Sequence, residues 1–196
     1  MRSREIQHFL ASISGRTSSE IDQRCRPLRE ALKIPSGPRG LSAPHMDLGS
    51  GMLHVLAMAA ARPADALAVA IDLMECRLHH SDIVPELSSA FEEHNNLAVF
   101  FLSAMDTGYS SLGFDIISFE LQDDGKVAWM NFNRRSLKGL RFCFSHSPSV
   151  NSNDYERLSA SNRFVIGRRH LEVLGAQILR DCPRPHDDAE AEEDVA

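Results

Sequence analysis

The 196-residue chain is long enough for one ordinary domain or two small ones, and its 43% hydrophobic and 24% charged residues are globular values, neither fibrous nor disordered. No run approaches the roughly 20 uninterrupted apolar residues of a membrane span, the best being Met52 to Ala61, which is too short and carries His54. A formal net charge of -6 by itself argues against a nucleic-acid partner, but its distribution reverses the inference. Residues 1–45 hold eight basic and four acidic side chains, a balance of +4 that leaves -10 for the remainder. Phosphates respond to the local field within about a Debye length (~8–10 Å) and not to the whole-chain sum.

In chain order, Ile6, Phe9, Leu10 and Ile13 recur at helical spacing and predict a first helix, which Gly15 stops. Thr17-Ser18-Ser19-Glu20 reads as a capping box opening a short second helix, with Ile21 inward. A third helix is expected from Arg26-Pro27, with Pro27 in a first-turn position where its missing N–H does no harm. Cys25, Leu28, Ala31 and Leu32 would form its inner face, and Arg24, Arg26, Arg29 and Lys33 its other side. Pro35-Ser36-Gly37-Pro38-Arg39-Gly40 cannot be helical and predicts a turn or loop.

A helical middle follows. Asp47 or Ser50 begins a stripe of Met52, Leu53, Leu56 and Ala60, which Arg62-Pro63 breaks. The next helix spans about Ala64 to Arg77, with Leu67, Ala68, Ile71 and Met74 inward, and two more are expected over Asp82–Asn95 and Leu97–Met105. After Gly108 the period changes to that of strands. Phe114–Leu121 and Val127–Phe132 are joined through Asp124-Gly125, a hairpin signal, and Leu140–Phe144 and Arg163–Ile166 make two further strands. His170–Leu179 is a closing helix, and the Pro- and acid-rich tail from Pro183 is expected to be disordered.

The resulting expectation is an α+β chain. It has a winged helix-turn-helix-like unit over 1–45, a helical region over 46–107, an antiparallel β segment with a closing helix over 108–182, and an acidic tail over 183–196. A helix-turn-helix reads DNA because a helix fits the major groove, where side chains reach base edges and phosphates. Arg24, Arg26 and Arg29 would lie on or beside the recognition helix, since a guanidinium can pair bidentately with guanine or clamp a phosphate. Thr17, Ser18 and Ser19 at a helix N-terminus suit an anion, and Arg39 suits an adjacent minor groove. With Arg16, Gln23 and Lys33 these complete the candidate DNA-contacting set. The competing reading is a solvated helix face whose arginines pair with Glu20, Asp22 and Glu30.

Pro27-Leu28-Arg29-Glu30-Ala31-Leu32-Lys33-Ile34-Pro35, Gly37-Pro38-Arg39-Gly40 and Ala43-Pro44-His45-Met46 together resemble poorly characterised winged-helix-like proteins of bacterial phages and prophages. In those, an LREAGLIP-like helix end leads into a glycine-arginine turn and a further helical segment. The resemblance covers roughly residues 5–75 and implies a winged-helix-like regulator. This chain has Leu32-Lys33 where a glycine–leucine pair is typical, and so lacks the glycine that would end the helix in a left-handed cap.

Enzymatic chemistry has little support. No Walker loop, GxGxxG, HExxH, GxSxG or paired-cysteine zinc pattern occurs. Cys76, His79, His80 and Asp82 read as the polar end of a helix before they read as a metal site, and Ser145-His146-Ser147 has no assignable acidic partner. Trp129 reads as core, and Arg134, Arg135, Lys138 and Arg141 as a second, solvated basic cluster. Cys25, Cys76, Cys143 and Cys182 are widely spaced, and Met1-Arg2-Ser3-Arg4-Glu5 leads into no apolar signal core, so a cytoplasmic protein with reduced thiols is expected. No cofactor or metal is expected. The expected function is sequence-selective binding of double-stranded DNA by a homodimer that regulates transcription in a phage or mobile-element setting. A protein-interaction module with an acidic body (an antirepressor or host-factor inhibitor) and a ligand-sensing regulator are the alternatives.

Overall fold

A computed structural model describes residues 1–37, 43–78, 96–106, 116–122, 126–132, 141–145 and 163–181. The expected Asp82–Asn95 helix, the Asp124-Gly125 turn, Arg39, the basic residues 134, 135 and 138, and the tail from 183 lie outside them. So do His79, His80, Asp82, His146 and Ser147. The described chain is α+β. Its helices are α1 (Ser3–Ser14), α2 (Ser18–Glu30), α3 (Leu48–Ala57), α4 (Ala66–Glu75), α5 (Leu97–Met105) and α6 (Arg168–Asp181), with a short 3-10 turn at Pro63–Asp65. Its strands are β1 (Arg77–Leu78), β2 (Ile116–Gln122), β3 (Val127–Phe132), β4 (Arg141–Ser145) and β5 (Arg163–Gly167). They form one antiparallel sheet in the order β1-β4-β3-β2-β5.

Strand alternation divides the sheet into two faces. Phe119 and Leu121, Ala128 and Met130, Phe142 and Phe144, and Ile166 point into the main core. There Phe119 meets Phe101 of α5 at 4.7 Å between ring centroids, and Phe144 meets Phe100 edge-on at 5.6 Å. The opposite face carries a smaller cluster of Val127, Trp129 and Cys143, with the Arg163 guanidinium 4.7 Å from the Trp129 ring centroid. Trp129 is therefore core, as expected. Helices α5 and α6 cross closely at Gly175, where a Cβ would stand 1.9 Å from the Met105 carbonyl oxygen.

The N-terminal region departs from expectation in one important way. Residues 18–30 are a single helix, with Pro27 inside it and not at the start of a third helix. Proline in a helix interior costs about 3 kcal/mol through its missing N–H and its clash with the preceding turn. Against that, Ile21, Cys25 and Leu28 form one fully buried stripe along the unbroken helix. Burying such side chains contributes roughly 1.5–3 kcal/mol each, so continuity wins. The three-helix unit is thus a two-helix unit.

The end of α2 carries the second surprise. Lys33 N donates to Leu28 O at 2.9 Å and Leu32 N to Arg29 O at 3.0 Å, the 6→1 and 5→2 pair of a Schellman cap. The left-handed residue that this cap requires is Leu32, at φ 56°, and not a glycine. Its side chain is 84% exposed.

The N-terminal helices do not stand apart from the rest. One continuous cluster of buried apolar side chains runs from Ile6 and Leu10 of α1, through α2, α3 and α4, to Leu174 and Ile178 of α6. Helix α4 buries Ala66, Val69, Ala70 and Leu73 in that core; of the expected inward residues, Leu67 and Met74 pack against it half-buried, Ile71 is half-buried and Ala68 is exposed. Its sequence, ALAVAIDLME, is apolar nearly all round, so periodicity alone selects no face.

Candidate nucleic-acid interface

Helices α1 and α2 are joined by three residues, Gly15, Arg16 and Thr17. Gly15 adopts the left-handed conformation, φ 69° and ψ 6°, that lets the chain leave α1 in a tight turn. Thr17 then caps α2. Its hydroxyl accepts from Glu20 N at 3.2 Å, and the Glu20 carboxylate takes both the Thr17 amide at 2.7 Å and the Thr17 hydroxyl at 2.9 Å. The amide hydrogen bond from Thr17 is the main reason that the Glu20 carboxyl lies below its usual range. The first and second helices of the chain are thus joined by a short, glycine-bearing turn.

The ten residues expected to contact DNA separate into distinct groups. Ser19, Gln23 and Arg26 share the outer face of α2 with Glu30, opposite the buried stripe. All four are exposed, and Arg26 Nε donates to Glu30 Oε1 at 2.7 Å across one helical turn. Such a pair is open to water and salt, so it restrains Arg26 only weakly. Lys33 is exposed just beyond the helix. Ser18 is half-buried, its hydroxyl 3.1 Å from His8 Nδ1 on α1.

Arg24 does not join that face. Its guanidinium turns inward, Nη1 bonding the Ala60 carbonyl and Nη2 the Ala61 carbonyl at 3.3 Å, and the residue is 8% exposed. Arg16 makes a parallel contact, Nη1 to Met58 O at 2.8 Å. These carbonyls lie at and just past the end of α3, where backbone acceptors lack intrahelical partners and the helix dipole is negative. Two of the expected DNA-contacting cations are therefore used inside the protein, binding α2 to the end of α3. Burial is the main cause holding the Arg24 pKa below its ordinary value. Sequence reasoning missed this because Arg24 falls one position off the apolar stripe and no local pattern says where its guanidinium goes.

A groove of about 760 Å³ opens beside α2, between the first half of α1 and residues 35–37 and 43–46. Along its floor Asp22 Oδ1 accepts from Arg29 Nη2 at 2.9 Å and from Gln7 Nε2 at 3.0 Å. Ser3 links this network to His54 on α3, with Ser3 Oγ and His54 Nε2 3.0 Å apart. His54 is fully buried, and its Nδ1 stands 2.7 Å from Ser50 O, so Nδ1 carries the proton and Nε2 accepts from the Ser3 hydroxyl. Burial lowers its pKa to about 4. The Cys25 thiol, buried under α2, is pushed up to about 12 and is unreactive as a nucleophile.

No group of three or more metal-ligating side chains comes together among the described residues, and no described helix is long and apolar enough to cross a membrane. The chain matches no protein-family model, no curated protein and no solved structure.

Proposed function

We propose that the α1–α2 pair binds double-stranded DNA, with the outer face of α2 in the major groove, and that the protein regulates transcription as a homodimer. The carrying observation is the mounting of α2. A three-residue connection with a left-handed glycine sets the helix, Arg16 and Arg24 tie it to the end of α3 from behind, and Ser19, Gln23 and Arg26 are left facing solvent together. A rigidly backed helix with a polar outer face is what base-edge readout needs, and Gln and Arg are the side chains suited to adenine and guanine. Arg29 and Lys33 then serve as phosphate contacts beside it. A dimer doubles the contacts through effective concentration and reads two half-sites.

The test is fluorescence anisotropy with random duplex and with DNA flanking the protein's own gene, at two salt concentrations. Arg29→Ala with Lys33→Ala should weaken binding to all sequences and reduce its salt dependence by about one to two phosphate contacts. Gln23→Ala with Arg26→Ala should instead erase preference for the native flank. Binding indifferent to both pairs would overturn the assignment.

A protein-binding head is the second reading, favoured by Leu32, a large apolar side chain 84% exposed at the end of α2. Loss of a partner on Leu32→Gly with DNA affinity unchanged would select it.

A further inference from the structure

We propose that the groove beside α2 is a docking site for an acidic extended peptide, and that its occupant is this chain's own 187–194 segment. The first observation is where the chain leaves the fold. Helix α6 ends at Asp181, whose Oδ2 lies 2.6 Å from the Met1 amino nitrogen. Met1 in turn accepts from Met46 N through its carbonyl at 2.9 Å, and Arg2 pairs with His45. Arg2 and Met46 both line the groove, so α6 ends against a residue that adjoins its lining.

The second observation is charge. The sequence after Asp181 carries Asp187, Asp188, Glu190, Glu192, Glu193 and Asp194 against a single Arg184. The groove carries Arg2, Arg4 and Arg29 against Glu5 and Asp22, and the exposed Lys33, outside its lining, sits in the chain between the lining residues Arg29 and Pro35. Arg4 is exposed and has no ion-pair partner among the described residues. Arg29 is shared with Asp22 and the groove. The third is reach. The six residues from Cys182 to Asp187 give a maximum reach of about 20 Å, twice the width of a helix. Tethering supplies an effective concentration in the ~mM range, so individually weak, salt-screened contacts suffice.

The regulatory consequence rests on the DNA-binding reading: tail carboxylates compete with phosphates for Arg29 and Lys33. The docking itself does not rest on it, and two measurements on the full chain separate them. The first is zero-length carbodiimide cross-linking with peptide mapping, simplified because the chain has three lysines, Lys33, Lys126 and Lys138. An intramolecular link from Lys33 to residues 187–194, lost in ~0.5 M salt and diminished by Arg4→Ala with Arg29→Ala, is expected. No Lys33 link, equal linking to Lys126 and Lys138, or links only between two chains would overturn the proposal. The second replaces the six carboxylates by Asn and Gln. DNA affinity should rise about three- to tenfold at ~50 mM salt and the gain should vanish at high salt. A Lys33 link in a protein that binds no DNA upholds the docking and overturns the DNA reading. Unchanged DNA affinity without the link does the reverse.

Discussion

Replacing Leu32 by glycine isolates one backbone strain at the end of the candidate recognition helix. Leu32 sits at φ 56° as the left-handed residue of a Schellman cap whose two hydrogen bonds, from Lys33 N and Leu32 N, hold the last turn of α2. A side chain in that conformation costs about 1–2 kcal/mol. At 84% exposure it returns little of that through packing. Glycine removes the strain but gives back roughly 0.4–1 kcal/mol through the greater freedom of the unfolded chain. The net expectation is a stabilisation of about 0.5–1 kcal/mol, or a rise in melting temperature of about 1–4 °C for a protein of this size. Leu32→Ala keeps the strain and loses only the exposed side chain, so it should be nearly neutral. Leu32→Asn should lie between the two, because asparagine tolerates this region. Urea titration reads all three, and the slope of free energy against denaturant should not change. Destabilisation by glycine beside a neutral alanine would refute a left-handed cap at this residue.

Three further outcomes follow from the packing. His54 is neutral when folded, with a pKa lowered from 6.5 to about 4, so below pH 6.5 the unfolded state binds more protons. Its stabilisation is therefore complete above about pH 6.5 and is lost as pH falls towards 4, on the order of 3 kcal/mol in all. Urea midpoints between pH 7.5 and 4.5 should fall less steeply in His54→Gln than in the wild type, and identical slopes would contradict a buried neutral imidazole. Gly175→Ala should destabilise by about 3 kcal/mol or more, because its Cβ would meet the Met105 carbonyl oxygen and carbon at 1.9 and 2.6 Å and backbone cannot rotate away. Gly51→Ala should cost less, since its Cβ meets only the ends of Ile178 and Met105, and comparable thermal shifts would refute the distinction. Arg24→Met should cost about 2–3 kcal/mol by leaving the Ala60 and Ala61 carbonyls without their donor, and Arg24→Lys, which lacks the fork, should recover only part of it. Wild-type stability in either variant, read by urea titration, would mean that the guanidinium does not brace α3.

Much of this architecture was legible because it is local. Gly15 stops α1 and Thr17 with Glu20 caps α2 as the residues indicate, since both devices act within four residues. Helix α5 and strand β3 have the boundaries read from their apolar runs, Leu97–Met105 and Val127–Phe132. Strand β1 was not legible, because two residues become a strand only by pairing with β4. Nor was the face of α4, where nearly every side chain is apolar and only the neighbours decide which are covered.

The same division runs through the candidate site. Sequence alone determined which residues are cationic, that they gather near the N-terminus and that a capped helix begins at Thr17. Tertiary structure decided which cations remain on the surface. Arg24 and Arg26 differ by two positions on one helix, yet one caps carbonyls 36 and 37 residues away and the other faces solvent. It also decided that Pro27 lies within a helix and that a leucine takes a glycine's conformation. For Pro27 a local penalty of about 3 kcal/mol is outweighed by burial of Ile21, Cys25 and Leu28 in a core built from residues distant in the chain, and that burial is not written in any short stretch of it.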